Sequence, residues 1–235
     1  MKEGVSLMIF DCDGVLVDSE IIGIELTVSL LNQQGANIGL DEFTHRYSGL
    51  AWDELIDQIR ADKGATIPPH LRQAFYPLLM NAFADRLVSI AGVQETVSQI
   101  PLPRCICSNS SSEQLDFMLT KVGLKPLFTP HIFSAMDLGP DRGKPCPDIF
   151  LHAAQVMNTS PENTLVIEDS VHGVTAAKRA GMLVVGFTGG AHTTPCHRTR
   201  LFDAGADRVI DAMPQLIDEI RRLGHRSTPS HGRHR

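Results

Sequence analysis

A chain of 235 residues, 43% hydrophobic and 20% charged, can bury a sizeable core, either as one large domain or as a core carrying an insertion. Its formal charge of −6 argues against a general nucleic-acid binder, and no apolar stretch approaches the ~20 residues that span a bilayer. The expectation is a cytoplasmic monomer that meets a small molecule rather than a nucleic acid or a membrane.

Met1-Lys2-Glu3-Gly4 leads directly into an apolar run and leaves no room for a signal peptide. The five cysteines are odd in number, contain no Cys-x-x-Cys pair and read as reduced thiols, with Cys105 and Cys107 packing in a strand. The run Leu7-Met8-Ile9-Phe10 reads as a buried strand that stops at Asp11-Cys12-Asp13-Gly14. In open α/β sheets ligands bind beyond the carboxyl ends of the strands. Residues i and i+2 of an extended end point the same way, so Asp11 and Asp13 address one site. Two carboxylates that close repel unless a cation or a proton lies between them. The arrangement suits a magnesium site in which one carboxylate attacks a substrate and the other handles a proton. The competing reading is a solvated Asp-x-Asp-Gly turn.

The next segment turns helical. Ser19 is expected to cap a helix over 19–34 that Gly35 closes. Trp52, Leu55, Ile56 and Ile59 recur at helical spacing, and so do Leu71, Phe75, Leu78, Leu79, Ala82 and Phe83, with Pro68 and Pro69 at the entry. With no strand signal inside it, 17–87 reads as a helical insertion. From Leu102 strands over 104–107, 131–134, 164–167, 183–187 and 208–210 alternate with helices over 113–121, 148–157, 171–180 and 215–223. That rhythm predicts a doubly wound, mostly parallel, Rossmann-like α/β sheet with its core in 1–16 and 88–224. Residues 225–235 are polar, basic and free of large apolar side chains, and read as a disordered tail.

Three later strand ends carry chemistry of the same kind. Ser108-Asn109-Ser110-Ser111-Ser112 is a hydroxyl-rich turn before a helix, where backbone amides and a serine hydroxyl can cradle a phosphate. In Lys144-Pro145-Cys146-Pro147-Asp148 two prolines stiffen the backbone carrying Lys144, and a lysine near carboxylates balances charge or holds a phosphate. Glu168-Asp169-Ser170 places two adjacent carboxylates on another strand tip. Each motif alone reads as a helix cap or a surface charge. At the strand ends of one parallel sheet they converge on one crevice.

This order of motifs resembles the haloacid dehalogenase-like (HAD) phosphohydrolase superfamily over nearly all of the chain except the tail. The resemblance implies that Asp11 is a nucleophile forming an aspartyl-phosphate and that Asp13 is the general acid/base. It implies phosphate binding by Ser108 and Asn109, and a Lys144 that stabilises both the nucleophile and the transferring phosphoryl group. It gives magnesium to Asp11, Glu168, Asp169 and the carbonyl of Asp13. A wholly oxygen donor set without histidine independently favours magnesium over zinc.

The helical insertion matches the position of the family's small cap. His45-Arg46-Tyr47-Ser48-Gly49-Leu50 looks like the cap loop that faces the active site, with Arg46 at a basic position able to hold a second anionic group. Asp18-Ser19-Glu20, Ile90-Ala91-Gly92, Phe150-x-His152-Ala153-Ala154 and Asp169-Ser170-Val171 are similar to the sugar-phosphatase and β-phosphoglucomutase-like branch, above all to bacterial phosphogluconate-type phosphatases. Gly23 stands where β-phosphoglucomutases carry a cap histidine, and Asp13 is an acid that dehalogenases and phosphonatases lack. The expectation is a magnesium-dependent phosphatase acting on a small phosphorylated metabolite such as a sugar or sugar-acid phosphate. The alternatives are a mutase and a non-enzymatic α/β binding module.

Overall fold

The structure is a computed structural model that describes residues 4–224; the tail at 225–235 and residues 1–3 lie outside the described residues. Strand β1 (Leu7–Phe10) is buried along its whole length. Its alternation sends Leu7 and Ile9 into one apolar cluster and Met8 and Phe10 into the other. A strand covered on both faces has to be apolar at every position, which is why it appears in the sequence as an unbroken run.

The chain then leaves the sheet for four helices, α1 (Ser19–Gln33), α2 (Leu40–Arg46), α3 (Trp52–Lys63) and α4 (His70–Arg86). Ile24, Leu31, Phe43, Leu55, Ile59 and Leu71 build these helices an apolar cluster of their own. Ile22 of α1 and Phe83 of α4 belong instead to the cluster on one face of the sheet. The insertion therefore has both an internal core and an apolar attachment to the α/β part.

The remainder runs α5 (Val93–Gln99), β2 (Arg104–Ser108), α6 (Ser112–Lys121), β3 (Ile132–Ser134), α7 (Asp148–Val156), β4 (Thr164–Glu168), α8 (Val171–Arg179), β5 (Leu183–Phe187), α9 (His197–Asp203), β6 (Arg208–Ile210) and α10 (Gln215–Gly224). The six strands lie in the order β3-β2-β1-β4-β5-β6, and every neighbouring pair is parallel. Val97, Leu115 and Leu216, from α5, α6 and α10, cover one face. Phe150, Val174 and Leu201, from α7, α8 and α9, cover the other. The sheet is doubly wound, as expected. The chain steps outward from β1 to β2 and β3, then returns to the other side of β1 with β4. Strand order thus reverses at β1, and the crevice at its carboxyl end, between β2 and β4, is where this architecture binds ligands.

Several local expectations need correction. Helices α2, α5 and α9 carry no helical signal in the sequence because each has seven residues, about two turns, too few to display a helical period. Ser19 does not cap α1. The cap position is Asp18, without a side-chain bond, and the Ser19 hydroxyl donates instead to Asp13. Side-chain capping falls to Ser111 on α6 and Ser170 on α8. Strand β4 runs one residue further than expected, bringing Glu168 into register with Gly186. All five cysteines are free thiols, and Cys105 and Cys107 are buried as expected. Among the described residues no helix is long and apolar enough to cross a membrane.

Candidate active site

Asp11 follows the last residue of β1, and its backbone N–H donates to the carbonyl of Ile167 at 2.9 Å, so the strand pairing itself fixes its position. Its carboxylate is buried and accepts from Lys144 Nζ at 2.5 Å. The same ammonium donates to Glu168 Oε1 at 2.6 Å and to the carbonyl of Cys107 at 2.8 Å. All three ammonium protons are satisfied, and its charge also lies 5.2 Å from the centre of the Phe150 ring. Asn109 holds the backbone of Lys144, accepting from its N–H at 2.9 Å and donating to its carbonyl at 3.4 Å. Asn109 therefore positions the lysine in this structure, a role distinct from the phosphate contact that the resemblance implies.

Asp13, two residues on, carries a different set of partners. Its Oδ1 accepts from Ser19 at 2.7 Å, and its Oδ2 accepts from Ser110 at 2.7 Å and Ser108 at 3.2 Å. Three hydroxyls from two parts of the chain hold this carboxylate. The alternation at the end of β1 thus places one aspartate beside a fixed cation and the other among mobile-proton donors.

Glu168 and Asp169 close the crevice from β4. Glu168 is fully buried, its Oε2 accepting from both the N–H and the hydroxyl of Ser170 at 3.0 Å. Ser170 in turn caps α8 by accepting from Gly173 N–H at 2.9 Å. A Cβ at residue 173 would stand 1.8 Å from Glu168 Oε1, so the carboxylate fits against the helix only because residue 173 is glycine. Gly14 has φ +72°, and a Cβ there would fall 1.9 Å from Asp169 Oδ2. Both glycines let backbone approach an acidic group closely.

Two histidines that the sequence analysis did not single out hold Asp169. His192 Nε2 lies 3.2 Å from Asp169 Oδ2, and His197 Nε2 bonds the Asp169 carbonyl. Carboxylate and carbonyl only accept, so each ring is read as the Nε2–H tautomer. Burial lowers both histidines below their ordinary range, which keeps them neutral donors. They follow the end of β5, where the strand-end rule applied to 188–197 would have flagged them. Asp18 anchors this loop by accepting from Ala191 N–H at 3.0 Å.

One carboxylate oxygen each from Asp11, Glu168 and Asp169 lies within 4.8 Å of the others, and all three residues are buried. Burial pushes Asp11 well above the usual carboxylate range; Lys144 opposes this, while Glu168, Asp169 and Asp13 add to it. Asp169 is raised likewise, by burial and then by Glu168. One ammonium does not neutralise this cluster. Three anionic oxygens without a nitrogen or sulfur donor suit a small hard divalent cation, so the residues present fit magnesium.

The crevice opens into a cavity of about 860 Å³ shared by the strand ends and the helical insertion. Asp11, Asp13, Ser108, Asn109, Lys144 and Asp169 all line it. Arg46 does not. Its guanidinium is held by Asp62 at 2.8 Å and Glu42 at 3.3 Å and lies over the Tyr47 ring. The neighbouring residues Tyr47 to Leu50 take the cavity wall instead. The structure does not bring Arg46, expected to face the leaving group, to the cavity: at the end of α2 its side chain turns toward Asp62 of α3.

A family model of haloacid dehalogenase-like hydrolases matches residues 5–181. The chain belongs to the haloacid dehalogenase-like hydrolases. It is 31% identical over 192 residues, 81% of this chain and 86% of its relative, to the 6-phosphogluconate phosphatase of Escherichia coli (strain K12). A crystal structure of a haloacid dehalogenase-like protein of unknown function from Agrobacterium tumefaciens superposes with a TM-score of 0.91 at 48% identity, covering 94% of this chain and 99% of the other. A HAD family hydrolase from Deinococcus radiodurans R1, solved with bound phosphate and sodium, gives a TM-score of 0.84 at 30% identity over 95% of this chain and 98% of its own. As a HAD-like enzyme the protein is a hydrolase of phosphoric monoesters. For this family member, Arg46→Ala removes only half-exposed ion pairs. It should change turnover by the same factor, within about twofold, on small and large esters alike. A loss confined to large esters in steady-state assays would restore Arg46 to the substrate.

Proposed function

We propose that the protein is a magnesium-dependent phosphatase of small phosphorylated metabolites working through an aspartyl-phosphate on Asp11, with the helices of 17–87 as its cap. The observation that carries this reading is the division of labour between Asp11, beside Lys144, and Asp13, among three serine hydroxyls. Asp11 attacks phosphorus, and the P–O bond to the leaving alcohol breaks. Asp13 gives that departing oxygen a proton. In the second step Asp13 takes a proton from water as the water attacks phosphorus, and inorganic phosphate leaves with Asp11 restored. Lys144 remains a cation throughout, because Asp11 and Glu168 beside it raise its pKa further against the opposing effect of burial. Ser108 and the residues that open α6 line the crevice, and the Ser108 hydroxyl is the group there that would receive a phosphoryl oxygen. Asp11, Glu168, Asp169 and the Asp13 carbonyl would hold magnesium, which would supply positive charge to the phosphoryl oxygens.

The test is phosphate release from an aryl phosphate. A chelator should abolish it, magnesium should restore it, and calcium, with its looser and higher coordination, should inhibit it. Magnesium should also raise the melting temperature by relieving the Asp11–Glu168–Asp169 repulsion. Full activity in chelator together with an unmoved melting temperature would refute the metal assignment. Asp13→Ala should slow esters with poor leaving groups by roughly 10²–10⁴-fold and spare activated ones in the first step. Equal rates on both esters would remove Asp13 from acid catalysis.

A further inference from the structure

The cavity wall supplied by the helical insertion is aromatic. Phe43, Tyr47, Trp52, Phe75, Tyr76 and Phe83 line it, which includes the one tryptophan and both tyrosines of the chain. Phe43, Tyr47 and Phe83 are buried, Trp52 and Phe75 meet with ring centres 5.5 Å apart and are half-buried, and Tyr76 is 41% exposed, so the last three are the rings a ligand can reach.

The charges on the same wall are of one sign. Every arginine and lysine between residues 17 and 87 is tied to a carboxylate of that segment: Arg46 to Asp62, Arg60 to Asp57, Lys63 to Glu42, Arg72 to Asp53 and Arg86 to Glu25. None of the five lines the cavity. The basic side chains that do are Lys144, whose ammonium is taken by Asp11 and Glu168, and His172. Glu113 also lines the cavity and adds a carboxylate, and Glu20, whose pKa burial raises to about 7, adds a second acidic group.

A second anionic group on the substrate would leave water with neither lysine nor arginine free to meet it and with acidic groups on the wall. A neutral ring would gain apolar contact and stacking on Trp52 and Phe75.

We infer that the ester turned over here has an uncharged, ring-bearing leaving group and no second anionic group. This rests on the phosphatase reading above and narrows it, setting aside sugar-acid phosphates and bisphosphates.

Three esters test it with the intact protein and magnesium. Benzyl phosphate and 4-carboxybenzyl phosphate share the departing benzylic oxygen and differ by one carboxylate at the far end of the ring. Acetyl phosphate has no ring and reports on the phosphoryl site alone. The expected result is a kcat/KM at least about tenfold higher for benzyl than for 4-carboxybenzyl phosphate, the scale of one unpaired polar group in a binding pocket. Tyr76→Arg, at an exposed wall position on α4, should narrow that preference by a similar factor. Equal turnover of the two benzyl esters by the wild type, or a preference that Tyr76→Arg leaves unmoved, overturns the inference. Failure to hydrolyse even acetyl phosphate overturns the phosphatase reading itself, and the inference with it.

Discussion

Asp11→Asn should abolish turnover, by about 10⁴-fold or more, while the protein stays folded. An amide does not attack phosphorus as a carboxylate does, and no neighbouring group can replace it: Glu168 is tied down by Lys144 and Ser170, and Asp13 by its serines. The fold should survive because Asp11 is a burden to it. A carboxyl whose pKa is raised on folding contributes stability below its unfolded value and loses it as pH rises toward the folded value. In metal-free buffer at neutral pH the asparagine variant should therefore melt no lower than the wild type. On acidification to about pH 4 any advantage should vanish, as the wild-type carboxyl protonates. Single-turnover phosphate release and a thermal melt check the two halves separately. Wild-type rates in the variant would remove Asp11 from the nucleophile role, and a collapsed melt would make its main role structural.

Lys144→Met should cost both activity and stability. The methionine keeps most of the apolar stem but leaves Asp11, Glu168 and the Cys107 carbonyl without their common donor. The lysine side chain is 4% exposed, and breaking such a buried pair by removing one member costs about 3–5 kcal/mol. For a chain of this size that corresponds to a fall of roughly 10 °C in melting temperature. The sign with pH follows from the raised lysine pKa. Its stabilisation is fully present below the unfolded value near 10 and is lost only above it. The deficit should be largest on the alkaline side of neutrality, up to about pH 9, and shrink on acidification already above the usual carboxylate range, because burial holds the Asp11 carboxyl up there. Added magnesium should recover part of the stability but not the rate. A melt within a degree or two of wild type at neutral pH would show that Lys144 is not the group balancing this cluster.

Two parts of the molecule were legible in the sequence because each depends on neighbours along the chain. The unbroken run of β1 and the alternation of strand and helix after Leu102 follow from side-chain periodicity, and together they dictate a doubly wound sheet. The strand-end positions of Asp11, Asp13, Ser108 and Glu168 follow from the same pattern, and only the order of the motifs was needed to bring them to one crevice. The tertiary structure alone decided what each side chain faces. Lys144 meets Asp11 across 133 residues of sequence and Asp18 meets Ala191 across 173, distances over which no periodicity carries information. Ser19 had the composition of a helix cap and became a partner of Asp13. Asn109 sat in a phosphate-like turn and holds Lys144. Arg46 had the charge for a substrate contact, but an acidic residue on α3 claimed it and left an aromatic wall over the site. Periodicity fixes which residues are buried and which lie at a strand end. The partner of a charge is set by whatever opposite charge the packed chain brings nearest, and that is a property of the fold.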